Sequence, residues 1–128
     1  MSNASSTAGS ATPAPGGEQV TPVFEHAIPN IPGKRLVAVR VSYAPGGRSL
    51  PHRHAPSAFI YAQVLSGAVR SQVDREPTKV YRAGEGFYEL PGSRHGISEN
   101  ASDKEPASLL AIFVVDSGDE PLTIPDPD

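Results

Sequence analysis

Three histidines have the residue type and spacing of a metal-ligand set. His52 and His54 are two residues apart, so in a β-strand both imidazoles lie on one face and can reach one ion. His95 directly follows the turn formed by residues 91–94 and would join them only in a fold that brings the two segments together. A histidine pair at this spacing is also common in surface loops, but the third histidine behind a Pro-Gly turn favours a metal site. The expected cofactor is one divalent transition metal, and three imidazoles do not choose among iron, zinc, nickel, copper and manganese.

The composition limits the classes of protein that can hold such a site. The chain has 128 residues, the length of one domain, and it has no cysteine, which excludes disulfides, thiolate metal sites and cysteine nucleophiles. The net charge is −3, with no run of lysine or arginine of the kind that nucleic-acid-binding proteins carry, so we expect no nucleic-acid partner.

The expected location is cytoplasmic. No apolar stretch approaches the roughly 20 residues that cross a bilayer, so we expect no membrane partner. Residues 1–17 also lack the basic and apolar regions of a signal peptide. A chain without its native leader would have the same appearance.

Short alternating strands separated by turns account for most of the chain. Apolar alternation predicts a strand over residues 36–43, and further runs follow at 58–65, 68–73, 78–81, 86–90 and 108–115. Turn signals such as Pro45-Gly46-Gly47 stand between them, and no window has a convincing helical period. The pattern predicts an all-β fold, an antiparallel sandwich or barrel.

The two ends of the chain differ from this central pattern. Residues 1–19 are rich in Ser, Ala, Thr, Gly and Pro without an apolar period, which predicts a disordered tail. The single β-barrel domain is predicted over residues 20–124, and residues 125–128 form an acidic C-terminal end. Leu122 and Ile124 could still pack back onto the barrel or onto a partner.

Two motifs around the histidines resemble those of the cupin family. They cover residues 46–67 and 84–100, and they read Gly46-(x5)-His52-x-His54 … Gly67 and Gly84-(x6)-Pro91-Gly92-(x2)-His95 … Asn100. The resemblance implies a single antiparallel β-barrel of cupin type, a jelly roll or double-stranded β-helix, with a divalent metal inside one mouth. It implies His52, His54 and His95 as the metal ligands. It also implies a homodimer, because small cupins often pair through an exchanged N-terminal strand or a sheet edge.

The chain departs from the cupin pattern at the family's usual carboxylate. The family places a glutamate three or four residues after the second histidine, then six residues, then a glycine. Here Ala58 and Phe59 stand near that place, and Ile60 stands seven residues before Gly67. The usual triad of two histidines and one carboxylate is therefore incomplete within this segment.

Two other side chains could complete the site. Gln63 would be a neutral fourth ligand if a bulge in the hairpin turned it inward, and otherwise it would face solvent. Glu89, two residues before Pro91, could point into the barrel mouth as a ligand or as a general base. The alternative for Glu89 is a solvated glutamate at a strand edge.

The strands that flank the histidines supply candidate pocket walls. By alternation half of their aromatic side chains point inward, and we expect the pocket to be lined from Phe59, Tyr61, Phe87 and Tyr88. Three arginines also lie near the ligands in sequence: Arg48, Arg53 and Arg94. One of them could bind a substrate carboxylate, and the alternative is that all three are solvated.

The predicted function is metal-dependent chemistry on a small polar organic molecule. A metal with open coordination positions can polarise a substrate oxygen, which fits dioxygenase, isomerase or lyase reactions. The alternative is a non-catalytic barrel that binds or senses a small molecule, with the metal as an anchor. A barrel whose histidines hold no metal is a third possibility, since the fold alone does not decide function.

Overall fold

The computed structural model describes residues 16–126 as two five-stranded antiparallel β-sheets. Sheet A has the strand order β1-β2-β9-β4-β7, and sheet B has the order β10-β3-β8-β5-β6. The ten strands are β1 (Glu18–Ala27), β2 (Lys34–Tyr43), β3 (His52–His54), β4 (Phe59–Ser66), β5 (Ala68–Val73), β6 (Lys79–Arg82), β7 (Gly86–Glu89), β8 (Arg94–Asn100), β9 (Ala107–Asp116) and β10 (Thr123–Pro125).

The predicted all-β architecture of jelly-roll type is confirmed. The two sheets face each other as a flattened barrel, and the strand pairing given for residues 16–126 does not join them into one closed sheet. In the same residues there is no helix with the length and hydrophobicity needed to cross a bilayer.

Both ends of the domain extend beyond the predicted boundaries. The tail expected over residues 1–19 is too long, because Glu18 and Gln19 belong to β1 and pair with the end of β2. The rest of that prediction falls on residues 1–15, which lie outside the described residues. At the other end Pro125 belongs to β10, so it is not part of a separate acidic end. Local composition does not reveal that these three residues belong to strands, because the residues that they pair with are distant in sequence.

The two sheets give the interior two chemically different walls. Sheet A contributes apolar side chains, because alternation turns every second residue of β2, β4 and β9 inward; among them are Val37, Ile60, Ala62, Leu109 and Phe113. Sheet B contributes buried polar side chains: His52, Ser71, His95, Ser98 and Asn100. Each large apolar side chain buried in this way contributes about 1.5–3 kcal/mol. Sheet A therefore carries much of the core, and sheet B carries most of the buried polar side chains of the strands, with Glu89 on β7 of sheet A as an exception.

Glycine is required at the turn between β4 and β5. Gly67 has a φ of 69°, and a Cβ added there would lie 2.5 Å from the carbonyl oxygen of Pro106. Side chains rarely adopt this backbone conformation, and here the space is also occupied. The close approach holds β5 beside the start of β9.

Candidate metal centre

Strand pairing brings the three predicted histidines together. The period of two in β3 turns His52 and His54 toward the interior, and β8 pairs with β3 so that His52 lies opposite His95. One ring nitrogen of each histidine lies within 4.8 Å of one from each of the others. The ring centroids of His52 and His54 are 4.7 Å apart, and those of His52 and His95 are 5.1 Å apart.

Two of the imidazoles are oriented by backbone carbonyl groups. His52 Nδ1 lies 2.6 Å from the carbonyl oxygen of Leu50, and His54 Nδ1 lies 3.1 Å from that of Leu122. A carbonyl oxygen only accepts hydrogen bonds, so each Nδ1 carries a proton, and in the neutral imidazole each Nε2 then presents a free lone pair. Metal-binding histidines are typically held in this way through their other nitrogen.

His95 is oriented by a side chain instead. Its Nε2 lies 2.8 Å from the hydroxyl oxygen of Ser71 on the neighbouring strand β5. Phe87 packs edge-on against the same ring, with centroids 5.6 Å apart. These two contacts fix the ring plane and direct Nδ1 of His95 toward the cluster.

Glu89 is the carboxylate of this cluster. Its side chain is 3% exposed, with Oε1 at 3.5 Å from His54 Nε2 and Oε2 at 3.3 Å from His95 Nδ1. Oε1 has no hydrogen-bond partner. Burial alone raises the pKa of Glu89. The imidazoles of His54 and His95 have a larger effect in the opposite direction, and together they hold the pKa well below its usual range.

The arrangement around Glu89 fits a bound cation. Nε2 of His54 and Oε1 of Glu89 face each other at 3.5 Å, so a positive charge between them, either a proton or a metal ion, is favoured. Three imidazole nitrogens and one carboxylate oxygen suit iron, manganese, nickel or zinc.

The carboxylate that is missing from β4 is supplied by the strand beside it. Ile60, seven residues before Gly67, pairs directly with Glu89 on β7. Residues opposite each other in an antiparallel pair have Cβ atoms about 4.5–5.5 Å apart on the same face of the sheet. Side chains at positions 60 and 89 therefore point into the same part of the interior from adjacent strands.

Burial also affects the basicity of His52. Removal from water, together with the neighbouring His54 and His95, lowers the pKa of His52 to about 4. This imidazole is therefore neutral at pH 7. Its Nε2 lone pair is available to a metal without loss of a proton.

The prediction that Gln63 is a ligand is wrong. Gln63 is exposed on the outer face of β4, because the inward positions of this strand are Ile60, Ala62 and Val64. The pairing of β4 with β9 does shift register, but only between Val64 and Ser66. The irregularity comes too late in the strand to turn Gln63 inward.

The predicted pocket aromatics divide by strand alternation. Phe87 points inward and lines the cavity. Phe59, Tyr61 and Tyr88 are wrong as pocket residues, since they project from the outer face of sheet A with exposures of 43%, 39% and 59%. Each of them is adjacent in its strand to a residue that points inward, so alternation turns it outward. Phe59 and Tyr61 flank Ile60, and Tyr88 lies between Phe87 and Glu89.

The metal cluster lies in a cavity of about 490 Å³ between the two sheets. Its volume is in the range of small-molecule sites. Besides the histidines and Glu89, its polar lining consists mainly of four side chains that hydrogen-bond to one another: Glu18, Tyr43, Ser49 and Ser98. We call these four residues the hydroxyl chain.

Local sequence patterns do not reveal the hydroxyl chain as part of the site. Ser98 faces the interior only because the pairing of β5 with β8 shifts register at Gly96, so that His95 and Ser98, three residues apart, point the same way. Alternation would have placed them on opposite faces. The alternating pattern of β2 does place Tyr43 on the inner face, and that was the one available signal.

Tyr43 gives the hydroxyl chain a measurable pH dependence. Burial raises the pKa of Tyr43 to about 12. Because the folded state holds this proton more tightly than an unfolded chain with a pKa of about 10, its contribution to stability is lost as pH rises between those values. From about pH 9 to about pH 12, urea denaturation should show wild type losing about 2–3 kcal/mol more stability than Tyr43→Phe. Equal losses in the two proteins would contradict this assignment.

Comparison with known proteins identifies the family. The sequence profile of the cupin domain matches residues 39–113, more than half of the chain. The chain belongs to the cupin family. This cupin is 33% identical over 101 residues to germin-like protein subfamily 2 member 2 of Arabidopsis thaliana, an alignment that covers 76% of this chain and 45% of the relative.

Solved structures agree with the cupin fold. An oxalate oxidase in complex with glycolate is 25% identical, with a TM-score of 0.68 over 88% of this cupin and 56% of that chain. A conserved protein with a double-stranded β-helix domain from Klebsiella pneumoniae superposes with a TM-score of 0.67 at 19% identity, over 90% of each chain. The chain spans about half the length of the germin-like protein and the oxalate oxidase.

Proposed function

We propose that this cupin is a divalent-metal enzyme that acts on a small organic molecule through an oxygen atom bound at the metal. The observation that carries the proposal is the cluster of His52, His54 and His95, whose ring nitrogens lie within 4.8 Å of one another beside the buried Glu89. Three imidazole nitrogens and one carboxylate that converge in this way form a donor set suited to a divalent transition metal. The likeness to an oxalate oxidase that binds glycolate supports a small oxygen-bearing substrate.

Four residues divide the work at the site. His52, His54, His95 and Glu89 would hold the metal, and the bound metal would supply Lewis-acid or redox chemistry at a substrate oxygen. With four protein ligands, an ion that accepts five or six would keep positions for substrate. Glu89 acts in this proposal as a ligand rather than as a free general base, because both of its oxygens lie within 3.5 Å of a ligating imidazole.

The chemistry of the cavity favours an enzyme of dioxygenase, isomerase or lyase type. The carboxylate lowers the net charge of the loaded site to about +1, which suits a substrate that binds as an anion and is released after reaction. The second candidate is a barrel that binds or senses a small molecule without turnover. It is favoured by the mainly apolar cavity wall from sheet A, which offers surface for binding but few further reactive groups.

Metal analysis followed by reconstitution tests the proposal. Purified protein should contain about one equivalent of a transition metal, and chelator-treated protein should recover it from Fe²⁺, Mn²⁺, Co²⁺, Ni²⁺ or Zn²⁺. The reloaded proteins are then screened against small hydroxy, oxo and aromatic acids, with oxygen uptake and product formation recorded. Turnover that depends on the metal supports an enzyme. Metal binding without turnover across the panel favours the binding barrel, and no metal binding contradicts both.

We also propose that the chain forms a homodimer through β1. This strand pairs with β2 alone among the described strands, so its other edge is open. Val23 and Phe24 on it are each 54% exposed, and a second copy would cover both the open edge and these side chains. A cytoplasmic location and the absence of a nucleic-acid partner are proposed on the sequence grounds given above.

Replacing Phe24 by lysine should separate this dimer. Light scattering of wild type is expected to give twice the chain mass of 13.4 kDa, and Phe24→Lys should give the mass of one chain because a buried charge is costly at an apolar interface. Val80→Lys is the matched control, since Val80 is 43% exposed on β6, the edge strand of sheet B. A monomeric wild type, or a dimeric Phe24→Lys, would refute the β1 interface.

A further inference from the structure

The charge of the cavity is unusual for a site that takes organic acids. Two glutamates line it, Glu18 and Glu89, and no lysine or arginine within residues 16–126 does so. The three arginines near the ligands in sequence are all exposed, and two of them have partners elsewhere: Arg53 donates to the carbonyl oxygen of Gly92, and Arg94 pairs with Asp126. Only the metal can therefore neutralise a substrate anion.

The protons of the hydroxyl chain have a defined direction. Ser49 has one hydroxyl proton and donates it to the carboxylate of Glu18. Tyr43, whose oxygen lies 2.6 Å from that of Ser49, must then donate to Ser49. Ser98, at 2.7 Å from the Tyr43 oxygen, must in turn donate to Tyr43.

This direction leaves acceptors and no donors for a ligand. All three hydroxyl protons are used in hydrogen bonds within the hydroxyl chain. It can therefore offer a ligand only acceptors, namely free lone pairs and the remaining carboxylate oxygen of Glu18. A substrate group that meets these atoms favourably must donate a hydrogen bond. A second anion at this place would instead face the carboxylate of Glu18.

The hydroxyl chain and the metal cluster line the same cavity and are neighbours along β8. Ser98 follows His95 by three residues on β8, and the rise of a strand puts them about 10 Å apart at most. The same cavity is lined by apolar side chains of sheet A, including Val39, Val41 and Leu109. The intervening part of the ligand therefore contacts hydrocarbon.

We propose that the substrate is a monoanion with one metal-binding oxygen group, an apolar body and a hydrogen-bond donor at its far end. Dianions are disfavoured because the hydroxyl chain ends in Glu18. The inference rests on the proposed function, since it takes the metal to bind the first oxygen group. It adds a second recognition site in the same cavity, the hydroxyl chain.

Three aromatic acids of one shape test the proposal. Benzoate, 4-hydroxybenzoate and terephthalate share a ring and a carboxylate, and they differ only in bearing hydrogen, a hydroxyl donor or a second carboxylate at the far end. Calorimetric titration of the Zn²⁺-loaded protein should show 4-hydroxybenzoate binding about five- to tenfold more tightly than benzoate. Terephthalate should bind at least about tenfold more weakly than benzoate.

Glu18→Gln should bring the three affinities closer together. Removing the charge relieves the repulsion of terephthalate, and the neutral amide is a weaker acceptor for the phenol. Glu25→Gln makes the same change on β1 at an exposed position outside the cavity lining, and it should keep the wild-type order. The wild-type series needs no variant, so the test stands even if Glu18→Gln does not fold.

The outcomes separate this inference from the proposed function. Equal affinities for benzoate and 4-hydroxybenzoate would overturn the inference, as would tight binding of terephthalate or no binding of any probe to metal-loaded protein. In each of these cases a normal Zn²⁺ titration leaves the proposed metal site standing. Failure to bind Zn²⁺ at all overturns the proposed function first.

Discussion

His54→Ala is expected to weaken binding of a divalent transition metal by more than about 100-fold. Even groups that only orient a ligand contribute about 10–100-fold to metal affinity, so removal of a ligand should have a larger effect. The side chain of His54 is held by the carbonyl of Leu122 and packs edge-on against Phe113, with ring centroids 5.1 Å apart. Calorimetric titration with Co²⁺ or Zn²⁺ measures the difference.

The matched control for this variant is His26→Ala. His26 lies on the exposed part of β1, outside the cluster of three histidines. Its loss should leave metal affinity unchanged within about twofold, as expected for a surface substitution. Wild-type affinity in His54→Ala would show that the three histidines do not form the site.

Moving the carboxylate from Glu89 to position 60 should preserve the site. Glu89→Ile alone leaves three neutral ligands and is expected to weaken metal binding by about 10–100-fold. In the double variant Ile60→Glu/Glu89→Ile the carboxylate returns from the facing position on β4, since Ile60 and Glu89 pair directly. The same titration should show most of the lost affinity restored.

The single variant Ile60→Glu controls for the presence of a new charge. It places a second carboxylate beside Glu89 in a buried volume, which is destabilising unless a cation neutralises the pair. A double variant that binds metal no better than Glu89→Ile would contradict the claim that a carboxylate at position 60 or at position 89 can fill the same coordination position. Full affinity in Glu89→Ile itself would remove Glu89 from the ligand set.

Local sequence patterns were sufficient for much of this fold and for the histidine cluster. The strand predicted over residues 36–43 is observed as Lys34–Tyr43, and the run at 108–115 is observed as Ala107–Asp116. These predictions succeed because apolar alternation indicates which side chains face the core. His52 and His54 could be placed on one face by the same period of two. The Pro-Gly turn before His95 marked where β8 begins.

Other parts of the site depend on pairing between strands, which local patterns do not record. The inward orientation of Ser98 comes from a register shift at Gly96, and the place of Glu89 beside Ile60 comes from the pairing of β4 with β7. The prediction that Gln63 is a ligand needs a bulge that turns this residue inward, whereas the observed bulge lies between Val64 and Ser66. The short strands β3 and β10 have too few residues to show a period at all.

Anomalous diffraction from crystals of the Co²⁺-loaded protein would locate the metal that we propose between His52, His54, His95 and Glu89. We expect a single strong peak at about 2.0–2.3 Å from Nε2 of His52, Nε2 of His54 and Nδ1 of His95, with an oxygen of Glu89 as the fourth protein ligand. A peak elsewhere on the protein, or no peak in crystals grown with excess Co²⁺, would contradict the proposed metal site.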